Sequence, residues 1–205
     1  MTSCWDDWYA SEDYIFGRTP NAFLASRQAD LPSAGTALAL ADGEGRNGVW
    51  LAEQGLDVTT IDAAPIALEK AKRLADERQV SLVTICSGLM DWDLGQEQWD
   101  VVVGIFMQVI DSADRRMLHR RIIKSLKPGG MLILQGYTPD QLAHGTGGPS
   151  DPDRLYTAAQ LVDEFAGLTI RHLAEVDRDL QEGTAHVGRS AVVELVAVKS
   201  VAAGS

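Results

Sequence analysis

Cysteine is scarce: Cys4 and Cys86 are the only two in 205 residues, and they lie far apart. That excludes a disulfide scaffold and a cysteine-rich zinc site. Histidine is scarce as well, with four scattered residues and no metal-ligand spacing. No nucleophile elbow and no Ser-His-Asp order appears. No apolar stretch approaches the roughly 18 residues of a membrane span. The opening Met1–Asp7 has neither the basic nor the apolar region of a secretion signal, so a cytoplasmic location is expected. Positive charge is in short supply: 18 Lys and Arg against 29 Asp and Glu give a net charge of −11. A surface of that sign repels phosphate backbones and anionic membranes, so no nucleic-acid or membrane partner is expected; a monomer or homodimer is expected. Internal repeats and low-complexity linkers are also missing, which predicts one domain over residues 1–205.

What is present is enough apolar residue, 45%, for one sizeable core. Residues 1–30 are rich in aromatics and acids and show no strand alternation. Short helical pieces and a loop around Gly17–Asn21 are expected there, followed by a helix from about Ala22 to Ala29. From residue 35 to 198 the pattern becomes that of a core. Thr36–Ala41 reads as a strand that ends in the turn Asp42-Gly43-Glu44-Gly45. A helix over Arg46–Gln54 is closed by Gly55, a natural residue past a helix end. Asp57–Ile61 predicts a second strand ending in Asp62, Pro65–Arg78 a helix with proline in its first turn, and Val80–Cys86 a third strand. Trp99–Ile105 is a nearly continuous apolar run, as in a central parallel strand covered on both faces. A helix over Ala113–Leu126 carries Leu118, Ile122 and Leu126 on one stripe. Lys127-Pro128-Gly129-Gly130 breaks it before a strand at Met131–Gln135. Tyr137–Arg154 reads as a long loop, functional or mobile. A helix at Ala158–Phe165 and strands near Thr169–Glu175 and Ser190–Val198 complete the chain. Alternating strands and helices predict an α/β, Rossmann-like, seven-stranded and mostly parallel sheet with helices on both faces. The last two strands follow each other across Asp177–Arg189, which predicts an antiparallel hairpin at the edge.

The Gly turn after strand one is where an open α/β sheet binds its ligand, beyond the carboxyl ends of the strands. Glycines there admit a ligand close to the backbone; a tight turn with no ligand is the plainer reading. Asp62, about twenty residues further on, is placed to accept hydrogen bonds from a ribose diol. It also stands where it could cap the following helix.

Leu38–Gly55 (LALADGEGRNGVWLAEQG) and VTTID ending at Asp62 resemble the class I methyltransferases that use S-adenosylmethionine, in the branch of the tellurite-resistance and thiopurine methyltransferases. Tyr14–Asn21 (YIFGRTPN), Trp99–Phe106 (WDVVVGIF), Leu126–Leu134 (LKPGGMLIL), the loop His144–Pro149 and Glu182-Gly183 with His186 agree with it. The resemblance spans roughly residues 5–198. It implies an enzyme that transfers methyl from S-adenosylmethionine to a small-molecule acceptor, a thiol or chalcogen oxyanion. It implies that Ala41, Asp42, Gly43, Glu44 and Gly45 meet the methionine portion, Asp62 the ribose, and Ala63, Gly88 and Leu89 the adenine. Ile105 and Phe106 are implied to approach the sulfonium. The family usually has an acidic residue within strand one and a glycine opening the turn; here those positions are Ala39 and Ala41, with Asp42 as the nearest carboxylate.

Aromatic faces attract cations such as a sulfonium. Tyr14 and Phe16 are therefore read as a lid over the site, in a lid segment spanning residues 1–30, and Trp5 and Trp8 as packing. Tyr137 and Arg178 join them as substrate-side candidates. His119, among four arginines, is expected on a solvated surface, His144 in the loop, and His172 as a structural strand residue. His186, in the polar connection of the final hairpin near Arg178 and Arg189, is the candidate base for an acceptor that needs one; a surface loop residue is the plainer reading. Two other functions share part of the pattern. A non-catalytic S-adenosylmethionine-binding module would bind without turnover. An NAD-dependent oxidoreductase would use the same Gly turn and Asp62, but needs a second βαβαβ half.

Overall fold

A computed structural model describes residues 8–201. The readings made for Cys4, for Trp5 and for the tail past Val201 lie outside these residues. Period-two alternation organises the sheet. In β1 (Thr36–Leu40), Leu38 and Leu40 face one side while Ala37 faces the other. In β4 (Trp99–Ile105), Val102 joins the first side, and Val101 and Val103 the second. Side chains that alternate along a pleated strand leave both faces apolar, so both must be covered. Leu118 and Ile122 of the helix Ser112–Ser125 and Leu161 of the helix Ala158–Glu164 cover one face. Phe23 and Leu24 of the helix Ala22–Ser26, with Leu51 of the helix Arg46–Glu53, cover the other.

β2 (Asp57–Asp62), β3 (Leu82–Cys86), β5 (Leu126–Tyr137), β6 (Thr169–Glu182) and β7 (His186–Val198) complete a seven-stranded sheet in the order β3-β2-β1-β4-β5-β7-β6. The pairs among β1 to β5 are parallel; β7 is antiparallel to both β5 and β6. The expected architecture is therefore found. Its outer half holds an antiparallel β7 between β5 and β6, in place of the second parallel half of a dinucleotide fold. Chain order reverses between β1 and β4, and the helix Arg46–Glu53 starts at that switch point. The helix Pro65–Arg78 has the predicted bounds and carries proline in its first turn. Among the described residues no helix is long and apolar enough to cross a membrane.

Most element ends fall within two residues of the sequence reading, and three places differ by more. The helix near Ala22–Ala29 stops at Ser26 and continues as a 3-10 turn over Gln28–Asp30. Lys127–Gly130 does not separate helix from strand: β5 begins at Leu126, and the slip is taken up as a register shift against Trp99 and Val101. Gly129 and Gly130 there pair with Lys199 just past β7. The final hairpin is much longer than expected, with Glu182 directly opposite His186 and only Gly183–Ala185 as its turn. Backbone pairing carries through polar residues, because strand formation depends on neighbours more than on apolar content.

His119 corrects another expectation. It is fully buried, not solvated. Its Nδ1 lies 2.7 Å from Glu164 Oε2, its ring stacks on Phe165 at 4.3 Å, and Arg115 Nη2 donates to Glu164 Oε1 at 3.0 Å. The arginines around it in sequence mislead because Arg115 itself turns inward to this carboxylate. Burial lowers the His119 imidazole below its ordinary 6.5, only partly opposed by Glu164. Burial raises the Glu164 carboxyl, but His119 and Arg115 outweigh it and leave it below the usual range. A depressed folded-state pKa gives stability that is present above the unfolded pKa and lost as pH falls. Stability is expected to decline first below 6.5 as His119 must charge, then further through the carboxylate range. Denaturant midpoints measured across pH should show His119→Gln flattening the upper part of this decline, and identical slopes in both proteins would refute it.

Candidate active site

Where β1 ends, the backbone turns left-handed. Ala41 has φ 47°, followed by Gly43 at 57° and Gly45 at 86°. Phe106, just past β4, has φ 53°. Two non-glycine residues in this region at adjacent strand ends mark a locally strained site. Between them opens a cavity of about 540 Å³ beyond the carboxyl ends of β1 to β4. Asp62 and Ala63 line it from β2, Gly88 and Leu89 from β3, and Ile105 and Phe106 from β4; Ala41, Asp42, Gly43 and Glu44 line it from the turn. Ten of the eleven residues expected to hold a cofactor are thus brought together. Gly45 is the exception: a Cβ there would lie 2.5 Å from the Ala71 side chain, so that glycine serves helix packing.

The carboxylates of this end have structural partners. Asp62 Oδ2 accepts from the Gly43 N–H and Oδ1 from the Ala64 N–H, both at 2.9 Å. Asp62 lines the cavity, and a carboxylate has about four acceptor sites, more than these backbone donors use. Burial raises the Asp62 carboxyl, and these N–H groups only partly offset it. Asp42 is turned under the helix start, where Oδ2 accepts from Gly48 N–H at 3.0 Å and from Thr60 Oγ1 at 3.2 Å. Burial pushes it up to about 6 against those bonds. Glu44 is buried against Lys70, which donates to its Oε1 at 2.7 Å, and its Oε2 accepts from Phe16 N–H at 3.2 Å. Tyr9 places its hydroxyl over Gly43, and burial beside Asp62, Glu44 and Asp42 raises its phenol well above the ordinary value.

The opposite end is aromatic. The His186 ring centroid lies 4.4 Å from Phe106, 4.6 Å from Phe16 and 5.8 Å from Tyr137. His186 is the first residue of β7, with 12% of its side chain exposed, and lines the cavity; it is not a surface loop residue. Tyr137 is buried and lines the same end, and its hydroxyl has no hydrogen-bond partner. Tyr14 and Arg178 are not part of this wall. The Tyr14 hydroxyl donates to Lys70 O at 3.0 Å and its ring packs with Val49 and Leu74. Arg178 is spent on Glu194, donating through Nε at 3.0 Å and Nη2 at 3.1 Å. Trp8, read as packing, lines the cavity while 53% exposed. His144 belongs to a short helix, Gln141–His144, within the long loop, and His172 is in β6 against Phe23 as expected. That loop is tied down: Gln141 donates to Thr146 Oγ1 and Gly147 O and accepts from Ala191 N–H, and Gly147–Pro149 close over the cavity.

Sequence reasoning gave no site role to Arg46, Glu182, Asn21 or Gln108. Arg46 Nη2 donates to Glu182 Oε2 at 2.6 Å, and Asn21 Nδ2 donates to Glu182 Oε1 at 2.8 Å. A signal existed. A cation at the first position of a helix opposes the macrodipole, so a buried anion had to be facing it. Gln108 grips both the N–H and the C=O of Tyr137; nothing in its sequence surroundings announces that.

Residues 37–130 match the methyltransferase domain family. No curated protein matches the chain. Among solved structures, the chain is similar to one from work on converting a disulfide bond into a thioacetal group during echinomycin biosynthesis. That likeness has a TM-score of 0.78 at 19% identity and covers 100% of this chain and 93% of that one. It is similar to TehB from Haemophilus influenzae, at 0.72 and 14%, over 96% of this chain and 66% of that one. It is also similar to a TehB-like S-adenosylmethionine-dependent methyltransferase from Corynebacterium glutamicum, at 0.64 and 20%, over 96% and 94%. At such identities the structures establish a shared Rossmann-like methyltransferase fold. The matched segment, residues 37–130, is similar to a methyltransferase domain and spans the Gly turn, Asp62 and the ends of β1 to β4.

Ala41 occupies the left-handed position that favours glycine, a conformation that strains other residues by about 1–2 kcal/mol. Glycine's greater unfolded-state freedom offsets part of any relief. Ala41→Gly is therefore expected to hold or raise the melting temperature by up to about 3 °C in a thermal scan. A fall larger than that would mean that the Ala41 methyl contributes packing that outweighs the strain.

Proposed function

We propose that this chain transfers the methyl group of S-adenosylmethionine to a small acceptor seated among Phe16, Phe106, Tyr137 and His186. The supporting observation is the division of one cavity into a turn-and-carboxylate end and an aromatic end that holds an unpartnered buried hydroxyl, that of Tyr137. The residues fit the cofactor. Asp62 lines the cavity with acceptor capacity for a ribose diol, the left-handed turn at Ala41–Gly43 forms one wall beside it, and Gly88 and Leu89 line the side where a flat ring would lie. When bound, S-adenosylmethionine supplies an electrophilic methyl on a sulfonium that leaves as a neutral thioether.

The chain's own contribution is then positioning. Holding two reactants in attack geometry contributes on the order of 7–11 kcal/mol. Aromatic faces at the sulfonium end favour its positive charge, and the strap across Phe16 excludes water. Burial lowers the His186 imidazole from its ordinary 6.5, so it is neutral at physiological pH and able to take a proton at Nε2. A neutral thiol suits this end better than a chalcogen oxyanion. The buried guanidinium of the lining, Arg46, is already paired with Glu182, and the other lining arginine, Arg154, is exposed; an anion stripped of water at the buried end would lack a cation beside it, which is costly.

Two measurements test the reading. Calorimetry should show S-adenosylhomocysteine binding in preference to NAD(H). Loss of charged hydrogen bonds at about 1.5–3 kcal/mol should weaken that binding roughly tenfold to hundredfold in Asp62→Ala. Preference for NAD(H) would reverse the cofactor assignment. Binding with no methylated product from any thiol, selenite or tellurite would leave a non-catalytic binding module. With a turned-over thiol in hand, His186→Ala should lower kcat by about 10²–10⁴ if the histidine takes the proton; unchanged turnover would remove it from the chemistry.

A further inference from the structure

Glu182 and His186 face each other across the last turn of the β6–β7 hairpin, and the register makes them direct cross-strand partners. His186 Nδ1 is buried, has no hydrogen-bond partner, and lies 3.6 Å from Glu182 Oε2. That same oxygen accepts from Arg46 Nη2 at 2.6 Å, from the helix that follows the cofactor turn. The other oxygen, Oε1, accepts from Asn21 Nδ2 at 2.8 Å, and Asn21 donates from the same nitrogen to Gln135 Oε1 at 2.8 Å. The Glu182 carboxylate is thus held from two elements, the N-terminal strap and the cofactor-side helix, with β5 steadying Asn21 through Gln135, and faces His186. The geometry points to Glu182 and Arg46 as positioning residues for His186: the brace fixes the imidazole with its proton on Nδ1 and leaves Nε2 open to the acceptor end of the cavity.

This rests on the reading of His186 as the proton acceptor, and it ties that group to the cofactor turn through a single guanidinium. Arg46 and the Gly turn belong to one strand–helix junction, so a shift of the turn carries to Glu182 and from there to the imidazole. Slack in the 3.6 Å separation is as expected of a resting site, since such contacts often tighten only with reactants bound. The groups facing His186 are Glu182 from β6, Arg46 from the helix Arg46–Glu53, Tyr137 from β5, Phe16 from the strap and Phe106 past β4. Of these only Glu182 and Arg46 are charged, and they act on the imidazole in opposite senses: the carboxylate favours its protonated form and the guanidinium disfavours it.

The opposition supplies the test, which needs neither cofactor nor acceptor. Nitrogen and carbon NMR of the histidine rings in the full chain reads both the tautomer and the titration midpoint of His186. Near neutral pH the wild-type ring is expected to carry its proton on Nδ1. Glu182→Gln is expected to move the midpoint to lower pH, Arg46→Gln to higher pH, and Arg46→Lys, which keeps the charge, to restore it. His119, in its own buried cluster, is the internal control and should not move in these variants. A wild-type proton on Nε2, or a midpoint unmoved by Glu182→Gln, overturns the brace. A midpoint unmoved by Arg46→Gln removes Arg46 from it. If Glu182→Gln fails to fold, the wild-type tautomer and the two Arg46 variants decide. A second readout is the S-adenosylhomocysteine complex, in which the same tautomer is expected. Absence of that complex would count against the cofactor reading and leave the tautomer result standing.

Discussion

A carboxylate with 9% of its side chain exposed stays ionised only where opposing charges and donors outweigh the loss of water. Burial pushes Glu182 up, yet His186 and Arg46 bring it down to about 2. An anion this stable, inside an otherwise aromatic wall, constrains everything around it. The hairpin cannot slip by one residue, because a slip would turn Glu182 to the opposite face and strand Arg46 as a buried, unpaired cation. Nor can the helix Arg46–Glu53 rotate freely, since its first residue is held at 2.6 Å. The Gly turn and the aromatic end of the cavity are therefore positioned relative to each other by one ion pair.

The N-terminal strap extends the same logic. Lys70 is almost fully buried and donates both to Glu44 and to Asp13 O, while Glu44 receives the N–H of Phe16. One residue along, Ile15 O accepts from Thr184 N–H and Ala185 N–H in the hairpin turn. Gly183 must be glycine for this approach: its φ is 63°, and a Cβ would strike Ile15 O. The strap thus runs from the Gly turn to the hairpin, joined to a buried ion pair at each end. Closure of the cavity roof is built from polar contacts at its edges, and Phe16 only fills the space between them.

Sequence periodicity disclosed the sheet, because alternation and apolar runs are local signals. The turn at Asp42–Gly45 and the strand end at Asp62 were legible for the same reason: spacing along the chain determines them. The acceptor end was much less so. His186 was placed in a loop because its neighbours are polar, and only the β6–β7 register reveals that it faces Glu182 and points inward. Tyr14 and Phe16 look alike on paper; two residues of separation in an irregular strap send one to Lys70 and the other to the cavity. Ala41 was read as a departure from glycine, and the backbone nevertheless adopts the left-handed turn, held by Asp62 on the Gly43 N–H. Composition suggested charge on the surface, yet Arg46, Lys70, Arg115 and Glu194 are all buried with partners. What was illegible is therefore long-range pairing of charges, which no local window contains.

The molecule holds the same three groups twice. Arg115, Glu164 and His119 form one arginine–carboxylate–histidine cluster, and Arg46, Glu182 and His186 another. In both, burial lowers the imidazole and the cations hold the carboxylate ionised. They differ in what closes the other side of the ring. His119 is stacked on Phe165 and sealed between two helices, with no exposed surface. His186 stands at the wall of the cavity between Phe16 and Phe106, with an open side. A sealed cluster can only stabilise the packing of one helix on another. An open one, in the function proposed above, can present its outer nitrogen to whatever occupies the cavity. A perturbed histidine is therefore not enough to identify a site; what separates the two is that His186 lines the cavity and His119 does not, and the proposal of a proton acceptor is made for His186 on that ground.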